Sequence, residues 1–263
     1  VSYLTGSTRS AKMAWCEKEI PADGITILRT FTYKALHKNF IHRVFSFLSF
    51  MFSSFWVGLG VKNVDVVWGT SPPIFQGWTA WLLARLKRAR FLLEIRDLWP
   101  AFAIAIGVLK NRTLIHLSLW LERFLYLRAD QLVVNSPGFI EHINSRGGRN
   151  IRLIPNGADP ELFAYRQTDG DLRVEQGWHD RFVVLYAGAH GISNDLETVL
   201  LAADILKMDA RILFVLVGDG KEKSNLQALA ARMMLNNVVF LPPVAKTGMA
   251  KVLAASDACI AIL

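Results

Sequence analysis

Apolar positions along this chain fall into two alternating kinds of run. Short, β-branched or near-continuous runs at residues 25–31 (ITILRTF), 64–68 (VDVVW), 91–95 (FLLEI), 131–135, 151–155, 182–186 (FVVLY), 212–217 (ILFVLV), 238–241 and 258–263 read as strands. Between them lie longer stretches with helical spacing: 40–61, the amphipathic part of 70–90, 114–130, 222–235, a helix from about Asn194, and a helix after Pro242-Pro243-Val244. Ser136-Pro137 reads as a further helix start, with Ser136 as cap and Pro137 in the first position. Strand and helix alternate throughout, which predicts an α/β chain with parallel sheets. The opening VSYLTG is itself strand-like, so Val1 begins inside an element and the chain reads as a fragment lacking its beginning.

The stretch IRLIPNGADPELF, residues 151–163, is the pivot of this pattern. Its strand runs into Asn156-Gly157, a pair that accepts positive φ, and then into Asp159-Pro160-Glu161, a helix-start signal, so a sharp turn is expected. Strand-helix alternation on both sides makes it the seam between two α/β halves facing each other across a cleft.

The segment at residues 40–61 is the most ambiguous, because its last 18 residues carry no charge. By length it qualifies as a membrane span, for which about 20 apolar residues suffice. The strands on either side, 25–31 and 64–68, are expected to share one sheet, which argues against spanning. Ser46, Ser49 and Ser53 recur at helical spacing and give the helix a weakly polar stripe. Two readings stay open: a crossover helix whose Phe, Met and Trp side chains dip into a membrane interface, or a wholly buried core helix.

Composition narrows the class. With 263 residues and 52% apolar content, the chain can bury one large core or two ordinary ones and is too apolar for disorder. Cys16 and Cys259 are far apart and lack partners at metal-ligand spacing, so neither a disulfide framework nor a zinc site is indicated and a reducing cytoplasm fits. The net charge of +8 is unevenly placed: residues 1–130 hold 17 Lys and Arg against 8 Asp and Glu, while the remainder is close to neutral. Such a surplus fits either an anionic partner or a solvated basic face. Arg85, Lys87, Arg88 and Arg90 form its densest cluster, at the end of an aromatic-rich helix. Part of that cluster serves the helix dipole; the rest suits an anionic membrane surface, where each basic residue contributes about 1 kcal/mol. With no stacking platform, zinc finger or helix-turn-helix pattern, nucleic acid is not an expected partner.

Candidate chemistry sits at strand tips, where open parallel sheets bind ligands. Arg96 and Asp97 directly follow the strand at 91–95 and are candidate catalytic residues, the alternative being a local ion pair closing a loop. In the second half, strands run into glycine-bearing turns: Gly188, with His190 and Gly191, then Gly218-Asp219-Gly220 with Lys221. Turns of this kind let backbone N–H groups approach a phosphate. Asp169-Gly170-Asp171 looks like a metal-binding Asp-x-Asp triplet, but its place in a polar linker marks it as a decoy.

The ordered motifs FLLEIRDLWP, NSPGF, IPNGADPELF, VLYAG, LVGDGKEKSNL and FLPPV resemble family 4 of the retaining glycosyltransferases over nearly the whole chain. Among these, RDLWP and IPNGAD are most similar to bacterial surface-polysaccharide enzymes, including the N-acetyl-fucosamine transferase type. The resemblance implies a GT-B fold of two Rossmann-like, doubly wound domains facing across a cleft, both incomplete here: an acceptor-side domain at 1–165, a linker at 166–180 and a nucleotide-sugar-binding domain at 181–263. It implies a nucleotide-sugar donor, a lipid-linked saccharide or polysaccharide acceptor, no metal or other cofactor, and a cytoplasmic protein peripheral on the inner face of the plasma membrane. The turn from Gly188 to Gly191, with His190, becomes the candidate diphosphate cradle. Gly218, Asp219 and Gly220 would shape the nucleoside side, the backbone around Val244 would meet the base, Lys221 would join the donor-binding residues, and Asn156 and Gly157 would lie in the cleft. Two positions depart from the pattern: where many relatives carry phosphate-gripping Arg and Lys, this chain has Ala189 and Asn194, leaving Arg96 or Lys221 to supply a cation. The family's Glu-x7-Glu signature and its first glycine-rich loop would fall beyond the two ends. A GT-B sugar-nucleotide epimerase and a non-catalytic membrane-associated module remain as alternatives.

Overall fold

A computed structural model describes residues 1–6, 15–33, 40–163 and 170–262. It divides into two compact units, Val1–Asn156 and Gly157–Leu263.

The first unit opens with a three-stranded sheet of β1 (Ser2–Gly6), β2 (Cys16–Ala22) and β3 (Ile25–Thr30) in the order β1-β3-β2. β1 pairs with β3 in parallel, and β2 folds back antiparallel on its other side. The hydrophobic pattern does not predict β2, since CEKEIPA is mostly exposed and contains Pro21, both marks of an edge strand. Its cross-strand pair Arg29–Glu19, at 2.8 Å, helps to hold the register.

Helix α1 (Phe40–Leu59) then leads into β4 (Val66–Ser71). β4 heads a second sheet, β4-β5-β6-β7, and is not in the sheet of β3. The expectation that the strands flanking α1 share a sheet is therefore overturned: β4 finds its partner in β5, register Val66↔Arg90 to Ser71↔Ile95. Among the described residues no helix is long and apolar enough to cross a membrane. The serines of α1 work on its inner side: the fully buried Ser53 donates to the Phe31 carbonyl at 2.6 Å, and Ser49 accepts from the Tyr33 N–H at 2.8 Å.

The second sheet, with β5 (Arg90–Ile95), β6 (Gln131–Val134) and β7 (Ile151–Leu153), is parallel throughout. Helix α2 (Ile74–Lys87) lies close on it because the contact residues are small: a Cβ on Gly69 would come within 2.6 Å of that of Ala80. Helix α3 (Ala101–Ala105) is short, and α4 (Arg112–Arg128) starts at Asn111, whose side chain accepts from the Leu114 N–H at 3.1 Å. Leu93, Ile95, Leu125, Leu132, Val134 and Ile143 form the core between sheet and helices. Helix α5 (Phe139–Ser145) begins two residues later than Ser136-Pro137 predicts: the Ser136 and Pro137 carbonyls accept from Phe139 and Ile140 in a preceding turn, and Gly138 occupies the cap.

The second unit carries α6 (Gly170–Glu175) inside the stretch read as a linker, and the nearby Trp178 is buried against Val183, Leu213 and Val252. A single indole in a polar stretch thus belongs to a core. Of the Asp169-Gly170-Asp171 triplet, Asp169 lies outside the described residues. The sheet is parallel, in the order β10-β9-β8-β11: β8 (Phe182–Ala187), β9 (Ile212–Val217), β10 (Val238–Leu241) and β11 (Ala258–Cys259). Strand order reverses at β8, as in a doubly wound half. One face is covered by α7 (Leu196–Ile205) and α8 (Lys223–Arg232), the other by α6 and α9 (Lys246–Ala254), each with its own apolar cluster.

Candidate functional site

In the second unit the carboxyl ends of β8 and β9 and the segment after β10 line an open pocket of about 320 Å³. Its lining comprises Ala187, Gly188, Ala189, Val217, Gly218, Asp219, Pro243, Val244 and Met249. Of the residues singled out in the sequence, Gly188, Gly218, Asp219 and Val244 are therefore brought together. His190, Gly191, Gly220 and Lys221 are not part of the lining.

Two glycines let the loops beside this pocket pack closely. Gly218 has φ +147°, and a Cβ there would lie 1.9 Å from the Gly188 carbonyl oxygen, so the two strand tips touch backbone to backbone. A Cβ on Gly220 would lie 2.2 Å from the His190 carbonyl oxygen. The loops are laced accordingly: Gly188 N–H donates to Val217 at 3.0 Å, His190 N–H to Asp219 at 2.9 Å, and Glu222 N–H to His190 at 3.0 Å. The Asp219 carboxylate caps the Gly220 N–H at 2.8 Å. Among the described residues, the backbone N–H groups of Ala189 and Asp219 are left without an acceptor, and both residues line the cavity.

His190 is wholly buried, with Tyr186 and Phe240 each 6.1 Å away ring to ring, and neither ring nitrogen has a hydrogen-bond partner among the described residues. Burial, assisted by the ammonium of Lys223, holds its pKa below the ordinary histidine value, with Asp219 opposing more weakly. The imidazole is thus kept neutral behind the loop. Lys223 was not singled out in the sequence, and it ties the site together: its ammonium donates to the Gly218 carbonyl at 2.7 Å and to the Leu241 carbonyl at 2.9 Å. Lys221, two residues earlier, is exposed. The helix expected from Asn194 begins as a 3-10 turn, Ile192–Asn194, and α7 proper starts at Leu196 after Asp195 at φ 41°.

In the first unit, parallel register aligns the ends of β4, β5, β6 and β7, so Arg96 and Asp97 stand at a row of strand tips with Asn135. Asn135 donates to the Arg96 carbonyl at 3.3 Å, while its own side-chain oxygen is buried without a partner among the described residues. Arg96 is exposed and Asp97 half-buried; among the described residues neither side chain joins an ion pair, so the local Arg96–Asp97 bridge does not form. Asn156 and Gly157 are exposed, and neither uses the positive φ that the pair accepts. The turn is made instead by Asp159, whose carboxylate accepts from the Glu161 and Leu162 N–H groups at 3.0 and 3.1 Å. Of the basic cluster, Arg85, Arg88 and Arg90 are exposed, whereas Lys87 is engaged by the Leu59 and Val61 carbonyls at the end of α1.

A buried charge cluster that the sequence did not reveal lies between α4 and α5. Glu122 is fully buried; it accepts from Tyr126 at 3.1 Å and is 2.9 Å from His142 Nε2. Arg146 Nη1 stands 2.8 Å from its other oxygen, close enough for an ion pair though off the line of a hydrogen bond. Burial and the neighbouring carboxylate push the Tyr126 phenol well above its ordinary pKa.

Comparison with known proteins agrees with this architecture. A family model described as "Glycosyl transferase 4-like domain" matches residues 28–157, and one described as "Glycosyl transferases group 1" matches residues 170–262. The chain is 26% identical over 228 residues to the putative colanic acid biosynthesis glycosyl transferase WcaI of Escherichia coli K12, covering 82% of this chain and 56% of that protein. Its fold is similar to that of Anabaena HepE in complex with UDP-glucose (TM-score 0.66, 18% identity, 89% of this chain and 59% of the other). It is also similar to sucrose-phosphate synthase from Thermosynechococcus elongatus (TM-score 0.74, 18% identity, 98% and 64%). The chain thus spans somewhat more than half the length of these relatives. With both of its units matched by glycosyltransferase models, it belongs to family 4 of the glycosyltransferases, those of GT-B fold.

Proposed function

We propose that the protein transfers a sugar, with retention of configuration and without a metal, from a nucleotide-sugar to a lipid-linked or polysaccharide acceptor of a bacterial surface polysaccharide. The observation that carries the reading is the cavity at the tips of β8 and β9, with the Ala189 and Asp219 N–H groups unclaimed beside Gly188 and Gly218. When the bond between the anomeric carbon and the diphosphate breaks, negative charge grows on the phosphate, and preset N–H donors stabilise it at no cost of reorganisation. By the family resemblance, Ala189 and Asn194 stand where many relatives carry cations, so in this reading the backbone bears more of this load. Gly188 and Gly218 let it approach closely, Lys223 holds the Gly218 carbonyl back from the anion, and Val244 contacts the base. Arg96 and Asp97 act on the acceptor side, and an anionic membrane surface presents the acceptor. A nucleotide-sugar donor is supported by the UDP-glucose complex of HepE, and a surface-polysaccharide product by the colanic acid role in the name of WcaI.

The test is calorimetric titration of this chain with UDP, followed by turnover of a nucleotide-sugar panel by the full-length protein. Binding of UDP, and nucleotide release that depends on acceptor, are expected. Absence of both would overturn the reading. Epimerised sugar formed without acceptor, detected by NMR, would replace it with the epimerase alternative.

A further inference from the structure

Resting on the membrane side of that reading, we infer that the outer face of α1 is the element that enters the membrane, lying in the interface of an anionic lipid surface while the α2 and α4 helices supply cations to the headgroups. A helix facing water keeps polar residues outside. Here the order is reversed. The buried positions of α1 are small: Ser53 and Ser54 are buried, and Gly58 packs so close to Leu83 that a Cβ would come within 2.7 Å. Outside stand Phe45, Leu48, Phe52 and Trp56, between 37% and 57% exposed. Their spacing of i, i+3, i+7 and i+11 places them in one stripe, about 16 Å long. Trp15, half exposed, widens it by an edge-on contact to Phe52 at 6.3 Å.

Charge complementarity decides what covers this stripe. Neither α1 nor α2 contains an acidic residue, and the one in α4, Glu122, is fully buried against Arg146 and His142. Arg85, Arg88, Arg123 and Arg128 are exposed in or beside α2 and α4. The α1, α2 and α4 helices therefore offer water only apolar, neutral polar and cationic groups. Aromatic side chains accompanied by arginines are what an anionic bilayer binds; the nearest carboxylates lie off the three helices, where Glu19 of β2 is paired with Arg29 and Asp130, after α4, accepts from the Phe91 N–H. Lys87 is excluded from this role because it serves the end of α1.

The experiment is flotation of this chain with vesicles of phosphatidylcholine plus phosphatidylglycerol, and with vesicles of phosphatidylcholine alone. Binding is expected to the mixed vesicles and to weaken with added salt, as screening requires. The pair Phe52→Ser, Trp56→Ser should lower the partition coefficient by on the order of tenfold or more. Arg85→Gln and Arg88→Gln should each lower it about fivefold, while leaving circular dichroism unchanged. Met208→Ser, at an exposed site on the second unit, should leave it unchanged. Equal flotation of wild type and the α1 pair, or a wild-type dimer that the α1 pair dissociates in sedimentation, would overturn the inference, the latter assigning the stripe to a second copy of the chain. Titration with UDP, done without lipid, separates the two readings: vesicle binding without nucleotide binding sinks the donor site and leaves this face standing, and the converse does the opposite.

Discussion

Replacing Gly218 by Ala probes the donor cavity most directly. Gly218 sits at φ +147°, where a side chain is strained, at a cost of about 1–3 kcal/mol. Its new methyl group would also lie 1.9 Å from the Gly188 carbonyl oxygen. An ordinary carbon–oxygen contact is about 3.3 Å, so the two loops must part by roughly 1.4 Å, with a further overpacking cost of about 1–3 kcal/mol. The hydrogen bond from Gly188 N–H to Val217, now 3.0 Å, spans that gap and should break. Strain and overpacking together amount to about 2–6 kcal/mol in the stability of the second unit. Donors displaced by more than 1 Å should also lose at least about tenfold in nucleotide affinity. Urea unfolding gives the first quantity and titration with UDP the second. Gly157→Ala is the matched control: among the described residues no atom lies within 4 Å of its Cβ, and it has no positive φ, so it should be neutral or stabilising by about 0.4–1 kcal/mol. If Gly218→Ala stays within about 0.5 kcal/mol of wild type and binds UDP unchanged, the close approach of the two strand tips is not what shapes the cavity.

Lys223→Met removes the donor shared by the Gly218 and Leu241 carbonyls; stability should fall by about 1–3 kcal/mol, UDP affinity should fall with it, and NMR should show the His190 pKa rising because a cation that lowers it is gone. Glu122→Ala strands Arg146 and His142 beside a buried cavity and should cost about 3–5 kcal/mol in denaturant unfolding of the first unit, with Glu122→Gln costing less. The Asp257 carboxyl is held below its ordinary range first by the hydrogen bond from Arg173 and also by the Val183 N–H. Its stabilisation is therefore full above the unfolded value near pH 3.9 and is lost as pH falls through the lower folded value. Asp257→Asn should remove this dependence from acid-unfolding curves and cost about 1 kcal/mol at neutral pH, a small figure because both partners are partly exposed.

The strand-helix alternation and most strand positions were legible because buried parallel strands are near-continuous apolar runs, as in ILFVLV at Ile212–Val217. Features set by tertiary context were not. CEKEIPA forms β2 because Ile25–Thr30 offers an edge, while its own pattern is polar. Residues 64–68 gave no hint that β4 would start a separate sheet, since both sheets use the same kind of apolar run. Asn156-Gly157 tolerates positive φ, but tolerance is not a requirement, and Asp159 turns the chain through its own carboxylate. At the cavity, the glycines announced close backbone approach, whereas Lys223 was hidden because a lysine in the first turn of a helix normally looks solvent-directed. Pro243 and Met249 complete the lining from a third segment, and no spacing rule joins them to Gly188.

The Asp257 carboxylate has one further consequence. It grips both Arg173, 84 positions earlier, and the Val183 N–H, 74 positions earlier, at the start of the sheet's central strand. On the ribosome, β8 emerges long before this clasp exists, so the second unit cannot close around its first strand until the segment bearing Asp257 has been synthesised and has cleared the exit tunnel. Slow or premature arrest of translation between those points would leave an apolar strand end unclasped and available to the wrong neighbour.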